Sequence, residues 1–294
     1  MENKELKALI SLLDDPDEAV FDQVKKRIEQ YGTAVIDDLE MAWENSLDPF
    51  FQERIEDLIS VIQKSTLREK LQLWLTRNSD DLIQGAILLA KFQYPDINAA
   101  EIKEEISKIK QDIWLELNDN LTPLECVNVF NQIFYDTHGF SGNLKNVYNP
   151  QNNFIHTVLE RRKGSPIMLG IIYQAIANEL DLPIFGVDLP FHFVLAYCKY
   201  KYSREKKDFY ADKDQVIFYI NPISNGLMFS KNEIRDYLKR MKIKEEKLFF
   251  KPVSNKQVIH TLFLQLSQCY KNNNDTEKVE ELQAFIDLFD ENYE

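Results

Sequence analysis

The sequence predicts an α+β fold, mostly helical, with a small antiparallel sheet packed on helices. Three observations predict it. Apolar residues recur at helical spacing through much of residues 1–135, and a strongly apolar segment of helical length occupies 166–180. Three strand-like runs then follow, at 184–187, 192–197 and 215–220. With 294 residues, 44% of them hydrophobic, the chain can bury a substantial core and is long enough for more than one domain.

Taken in order, Leu6, Leu9, Ile10 and Leu13 mark one face of a first helix. Asp14, Asp15, Pro16 and Asp17 break it, and Asp15 is placed to cap a second helix with Pro16 at its first position. That helix presents Val20, Val24 and Ile28 on one face and stops near Gly32. Further helices are expected over 34–46, 50–63, 67–75 and 81–92, completing three antiparallel pairs. The Asp-Pro-Asp turn between apolar helices resembles HEAT-type repeats, whose pairs must stack to bury their faces. Such a region serves either as a lid or docking surface or as a structural buttress.

Beyond Tyr94 and Pro95 the chain changes character. Helices are expected over 99–117 and 123–135, then an irregular stretch rich in Gly and Asn over 137–153, then a helix over 154–162 ahead of the apolar one. A charged loop, 199–214, separates the last two strand-like runs. From Lys231 the chain reads as helical again, and 258–271 with 277–288 form a closing pair of tetratricopeptide-like proportions.

Net charge is −13, which argues against a nucleic-acid or anionic-membrane surface, because both need clustered Lys and Arg to neutralise phosphate. Residues 1–100 carry 20 acids against 11 bases, so most of the excess lies there. An acidic helical region is ordinarily a solvated face; the alternative is a surface for a basic protein partner. No N-terminal basic-plus-apolar stretch resembles a signal peptide, and no apolar run approaches the ~20 residues that cross a bilayer. A cytoplasmic protein is the expectation. Cys126, Cys198 and Cys269 are odd in number, far apart and flanked by apolar residues, which suits buried thiols. Neither they nor His138, His156 and His260 show metal-ligand spacing, and no cofactor is expected.

The densest cluster of motifs runs from Phe140 to Pro222. Phe140, Gly142 and Asn143 are followed by Tyr148, Pro150 and Asn152. Then come Val158, Leu159, Arg161, Arg162, Gly164, Pro166, Ile167 and Leu169. Leu182, Pro183, Gly186 and Val187 lead to Pro190, His192 and Phe193, and Pro222 closes the series. In that order and spacing the chain resembles the SirB-type transglutaminase-like family over roughly residues 120–226. The resemblance implies a transglutaminase/papain-like core, expected over 98–254, followed by a tetratricopeptide-like pair over 255–294; the HEAT-like domain read from the helices and turns is expected over 1–97.

In the parent enzymes a cysteine sits at a helix N-terminus, where the dipole favours thiolate, and a histidine on a neighbouring strand takes its proton. By the resemblance those positions, with the orienting acid, fall on Ser165 (or Pro166), His192 and Asn221, a degenerate triad. Each departs from the ideal. Ser165 reads equally as a helix N-cap with Pro166 at the first helical position. His192 reads as base or as structural residue, and the family usually has Gly where this chain has Phe191 before it. Asn221 can orient an imidazole but supplies no charge to stabilise imidazolium. Arg161 and Arg162 read as an anion clamp or as internal ion pairs. Asn143, Tyr148 and Asn152 either line the same cleft or satisfy a long irregular loop. Cys126 is a remote alternative nucleophile. The expectation is non-covalent binding of a protein or peptide partner without nucleic acid or membrane; the alternative is an amide or ester hydrolase or acyl transferase using Ser165, His192 and Asn221.

Overall fold

The computed structural model describes residues 2–199 and 216–291, and these form two compact units, 1–73 and 74–294. Most of the charged 199–214 loop, and the first residue of the strand expected at 215–220, lie outside the described residues.

The first unit holds α1 (Glu2–Ser11), α2 (Glu18–Glu29), α3 (Ile36–Asn45) and α4 (Pro49–Leu73). Leu13, Ile28, Leu39, Ile55 and Leu58 are fully buried in its core. The cap of α2 is Asp17, not Asp15: its carboxylate accepts from the Ala19 amide, while Asp15 Oδ1 accepts from the Asp17 amide at 2.9 Å. Pro16 disfavours helical backbone at Asp15, which is extended, so the helix starts two residues late. Buried Arg54 ties the turn to α4. It donates to the carbonyls of Leu13 and Asp15 at 2.8 Å and to Glu18 at 2.9 Å, stacked between Phe21 and Phe50. The helices expected over 50–63 and 67–75 are one 25-residue helix, because Lys64, Ser65 and Thr66 contain neither Gly nor Pro to break it. The three separate antiparallel pairs are therefore not formed.

The second unit opens on a π-helical turn, Trp74–Asn78, and α5 (Leu82–Gln93). The compact units part at Leu73/Trp74 rather than at residue 97 because α5, apolar on nearly every side, packs on α8, α9 and α11. Next come α6 (Ala99–Glu116), α7 (Pro123–Asn131), β1 (Ser141–Gly142), α8 (Ile155–Arg161), β2 (Lys163–Gly164) and α9 (Pro166–Glu179). The strands β3 (Ile184–Leu189), β4 (His192–Cys198), β5 (Val216–Asn221) and β6 (Leu227–Phe229) form an antiparallel meander in sequence order. Helices α10 (Lys231–Arg240), α11 (Asn255–Asn272) and α12 (Thr276–Asp290) complete the unit, the last two packed on one another.

Helix α9 is the axis of this unit, with ten buried residues from Ile167 to Ala177. Gly170 lets the sheet approach: a Cβ there would lie 2.5 Å from the Phe193 ring. The one strongly polar side chain at the centre, Gln174, is satisfied on both ends. Its amide donates to Asn255 at 3.0 Å and its carbonyl accepts from the Gly186 amide at 2.9 Å. On the other face of the sheet, Val187, Leu189, Val194, Ala196 and Tyr219 pack against Ile234 and Leu238 of α10 and Phe250. The sheet therefore lies between two helical layers.

Candidate functional site

Ser165 lies at the start of α9 because the parallel pair β1–β2 leads the chain there. Ser141 N donates to Arg162 O at 2.8 Å and Asn143 N to Gly164 O at 3.0 Å. Ser165 is extended, 5% exposed, and its hydroxyl accepts the Met168 amide at 3.3 Å with Pro166 at the first helical position. Its own amide donates to Asn152 O at 3.0 Å. The hydroxyl is thus an N-cap in a closed turn.

Asn143 and Asn152 hold that turn together. Asn143 Nδ2 donates to Asn152 Oδ1 at 2.9 Å, and Asn152 Nδ2 to the Asn146 carbonyl at 2.8 Å. Tyr148 has a half-exposed side chain, and its carbonyl accepts from Asn273. Arg161 is exposed. Arg162, left-handed at the end of α8 with φ 56°, pairs with Glu105 and lies 4.9 Å from the Phe140 ring centre.

His192 begins β4, paired with Leu189. Side chains alternate along a strand, so Phe193 and Leu195 point to α9 while His192, Val194 and Ala196 point to α10. The His192 ring lies 6.0 Å from the Tyr237 ring, and burial pushes its pKa below the ordinary range, leaving a neutral imidazole at neutral pH. Asn221 ends β5, and its Oδ1 accepts the Ile223 amide at 3.2 Å. The turn beyond it is pinned from α7 and α9: Asn131 donates to the Gly226 carbonyl, Tyr173 donates to Asn131, and Tyr135, from the π-helical turn that follows α7, donates to the Pro222 carbonyl. Among the described residues no hydrogen bond joins Ser165, His192 and Asn221. The structure gathers Ser165, Asn143 and Asn152, and turns His192 to the other side of the sheet.

Cys126, Cys198 and Cys269 are free and buried; burial pushes the Cys198 thiol up to about 12 and Cys269 to about 11. Burial raises Cys126 as well, and its thiol faces the Leu121 carbonyl at 3.8 Å. None is poised as a thiolate. Among the described residues there is no cluster of three or more His, Cys, Asp or Glu able to hold a metal ion.

A groove of about 670 Å³ opens beside the tip of the β3–β4 hairpin. Pro190 and Phe191 make the two-residue turn there, and Phe191 takes φ 60°, the left-handed position of a type II turn where Gly is usual. Its ring is 88% exposed. Leu248, Pro252 and Val253 supply a further apolar wall, and Asp188 also lines the groove, its carboxylate bonded by Thr261 at 2.9 Å and by Gln257. Sequence reading named Phe191 but missed this wall; the apolar run Leu248–Phe250 amid lysines was its only signal.

Residues 100–263 match the family model of the transglutaminase-like superfamily. The chain is 28% identical over 156 residues to a UPF0162 protein of Xylella fastidiosa, which covers 53% of this chain and 50% of that one. A UPF0162 protein of Vibrio cholerae is 27% identical over 158 residues, 54% and 53% of the two chains. The chain therefore spans about half the length of these curated relatives. Mouse F-box only protein 21 is 36% identical over 75 residues, 26% of this chain and 12% of that one. No solved structure matches.

Proposed function

This chain belongs to the transglutaminase-like superfamily, and from that premise we propose that its core is a binding scaffold for a protein or peptide rather than an acyl-transfer enzyme. Within the superfamily we place it with the SirB-type branch, on the order of motifs from Phe140 to Pro222. The observation that carries the reading is the state of Ser165: its hydroxyl already accepts the Met168 amide inside a buried turn, and the imidazole that would activate it faces Tyr237. A nucleophile and its base must come within about 3.2 Å in a reactive pose. Here the helix N-terminus is spent on capping, and a helix dipole does not make a hydroxyl acidic as it does a thiol. The closing helix pair α11–α12, tetratricopeptide-like in its proportions, supports a docking role.

The test is chemical. Incubation with an activated ester, followed by intact-mass spectrometry, is expected to leave Ser165 unmodified, and Ser165→Ala is expected to retain partner binding. An acyl adduct on Ser165, lost in His192→Ala, would restore the hydrolase or acyl-transferase reading.

A further inference from the structure

Phe191 is unfavourable on local grounds twice over. A left-handed backbone is costly for any residue with a Cβ, and its ring stands in water. Glycine would remove both costs. A strained, exposed aromatic at the lip of a groove is a feature that binding explains and folding does not. Leu248 lines the same groove and is 55% exposed, so the groove presents two large apolar side chains to solvent.

The surroundings are cationic in an acidic protein. Residues 231–251 carry eight lysines and arginines against four acids, while the whole chain is at −13. Two of those acids are engaged: Glu233 closes the capping box of α10 with Ser230, and Glu245 pairs with Arg235. An adjoining depression is lined by exposed Lys244 and Lys247 with Glu245 and Glu246, and it shares Leu248 and Lys251 with the groove, so lysines outnumber acids there and Glu245 is paired with Arg235. Apolar walls with a cationic rim complement a ligand of opposite sign that carries an apolar anchor. Asp188 also lines the groove, its carboxylate already accepting from Thr261 and Gln257 within the fold.

Resting on the binding reading above, we propose that the groove between Phe191 and Leu248 is the docking site for an acidic peptide segment of another protein, anchored by a bulky apolar side chain. The ring of Phe191 stacks on or beside that anchor, and Lys244 and Lys247 meet the flanking carboxylates.

Fluorescence anisotropy on the full chain tests this with a labelled synthetic peptide of about ten residues, long enough when extended to cross the groove. The peptide carries two phenylalanines among aspartates and glutamates, and a counterpart has lysines in place of the acids. The acidic peptide is expected to bind, and to weaken as salt rises from about 50 to about 300 mM. Affinity is expected to fall about tenfold in the Lys244→Glu, Lys247→Glu double variant and at least about tenfold in Phe191→Gly. Glycine suits the backbone at that position, so Phe191→Gly keeps the fold, which circular dichroism and melting verify. Equal binding of the two peptides, or undiminished affinity in both variants, overturns the proposal. Light scattering that shows a second copy of the chain filling the groove, with association lost in Phe191→Gly and no peptide bound, overturns it too. If the peptide fails while Ser165 stays unreactive to the activated ester, this site alone is refuted; acylation of Ser165 refutes the binding reading whatever the peptide does.

Discussion

Two turns in the second unit are built on opposite terms. At the start of α9, Ser165 is buried, its hydroxyl caps the helix, its amide is bonded to Asn152, and Pro166 follows in the position proline favours. At the start of β4, Phe191 is exposed and left-handed, where its residue type fits neither the backbone nor the solvent. With its hydroxyl already accepting the cap bond, the first turn maximises local consistency. The second sacrifices it, and gains a surface. Within one scaffold, one turn carries a buried capping hydroxyl and the other an exposed aromatic on a left-handed backbone.

The largest effect expected from breaking the first turn is at Asn152. Its side chain joins Asn143 to the Asn146 carbonyl, and it is 4% exposed. Asn152→Ala removes both bonds and leaves the Asn143 side-chain amide without its partner, while the Asn146 carbonyl keeps the Asn149 amide; it is expected to destabilise the fold by about 1 to 2 kcal/mol, read by urea denaturation. A loss near zero would mean that the turn is wet, and that Ser165 is freer than its cap implies. Ser165→Ala removes the cap alone and is expected to cost about 1 kcal/mol, with partner binding unchanged. Its effect separates the two roles of the hydroxyl, since a nucleophile would be lost without loss of stability.

The first turn was legible in the sequence and the second was not. Ser165 and Pro166 ahead of an apolar run is a cap signature in residue types alone, and the strands around His192 announced themselves by β-branched and aromatic runs between prolines. The sheet face of His192 was not legible. It depends on the register of the hairpin, and a one-residue shift would turn the ring from α10 to α9. Strands β1 and β2 are two residues each, below any periodicity, and β6 adds only three more. The sign of φ at Phe191 is a property of the closed hairpin. The groove wall comes from Leu248, Pro252 and Val253, some sixty positions downstream, which only tertiary packing brings beside the hairpin.

The second turn is sharpened by Phe191→Gly. Relief of the left-handed backbone outweighs the extra chain entropy of glycine, so the variant is expected to be more stable by about 0.5 to 1 kcal/mol while binding the acidic peptide less well. Opposite signs for stability and affinity in one substitution mark a residue retained for function. A loss of stability would place the ring among the groups that hold the hairpin.

The smallest effect discriminates most directly between the two histories of this scaffold. In a working triad a carboxylate beside the imidazole raises the folded-state pKa, so that stability is present at low pH and lost as pH rises. Here Asn221 is turned to the Ile223 amide and burial lowers the pKa of His192 from the ordinary 6.5. Below pH 6.5 the unfolded chain therefore binds a proton that the folded chain resists, and the contribution of His192 to stability has the opposite slope: full above 6.5, lost as pH falls through the folded value. Comparing denaturation midpoints of the native chain and His192→Gln at about pH 7 and about pH 5 isolates this group from the other titrating side chains. The native chain is expected to lose more stability on acidification than the variant does. A variant that loses more than the native chain would place an anion beside His192 and reopen the case for a catalytic base.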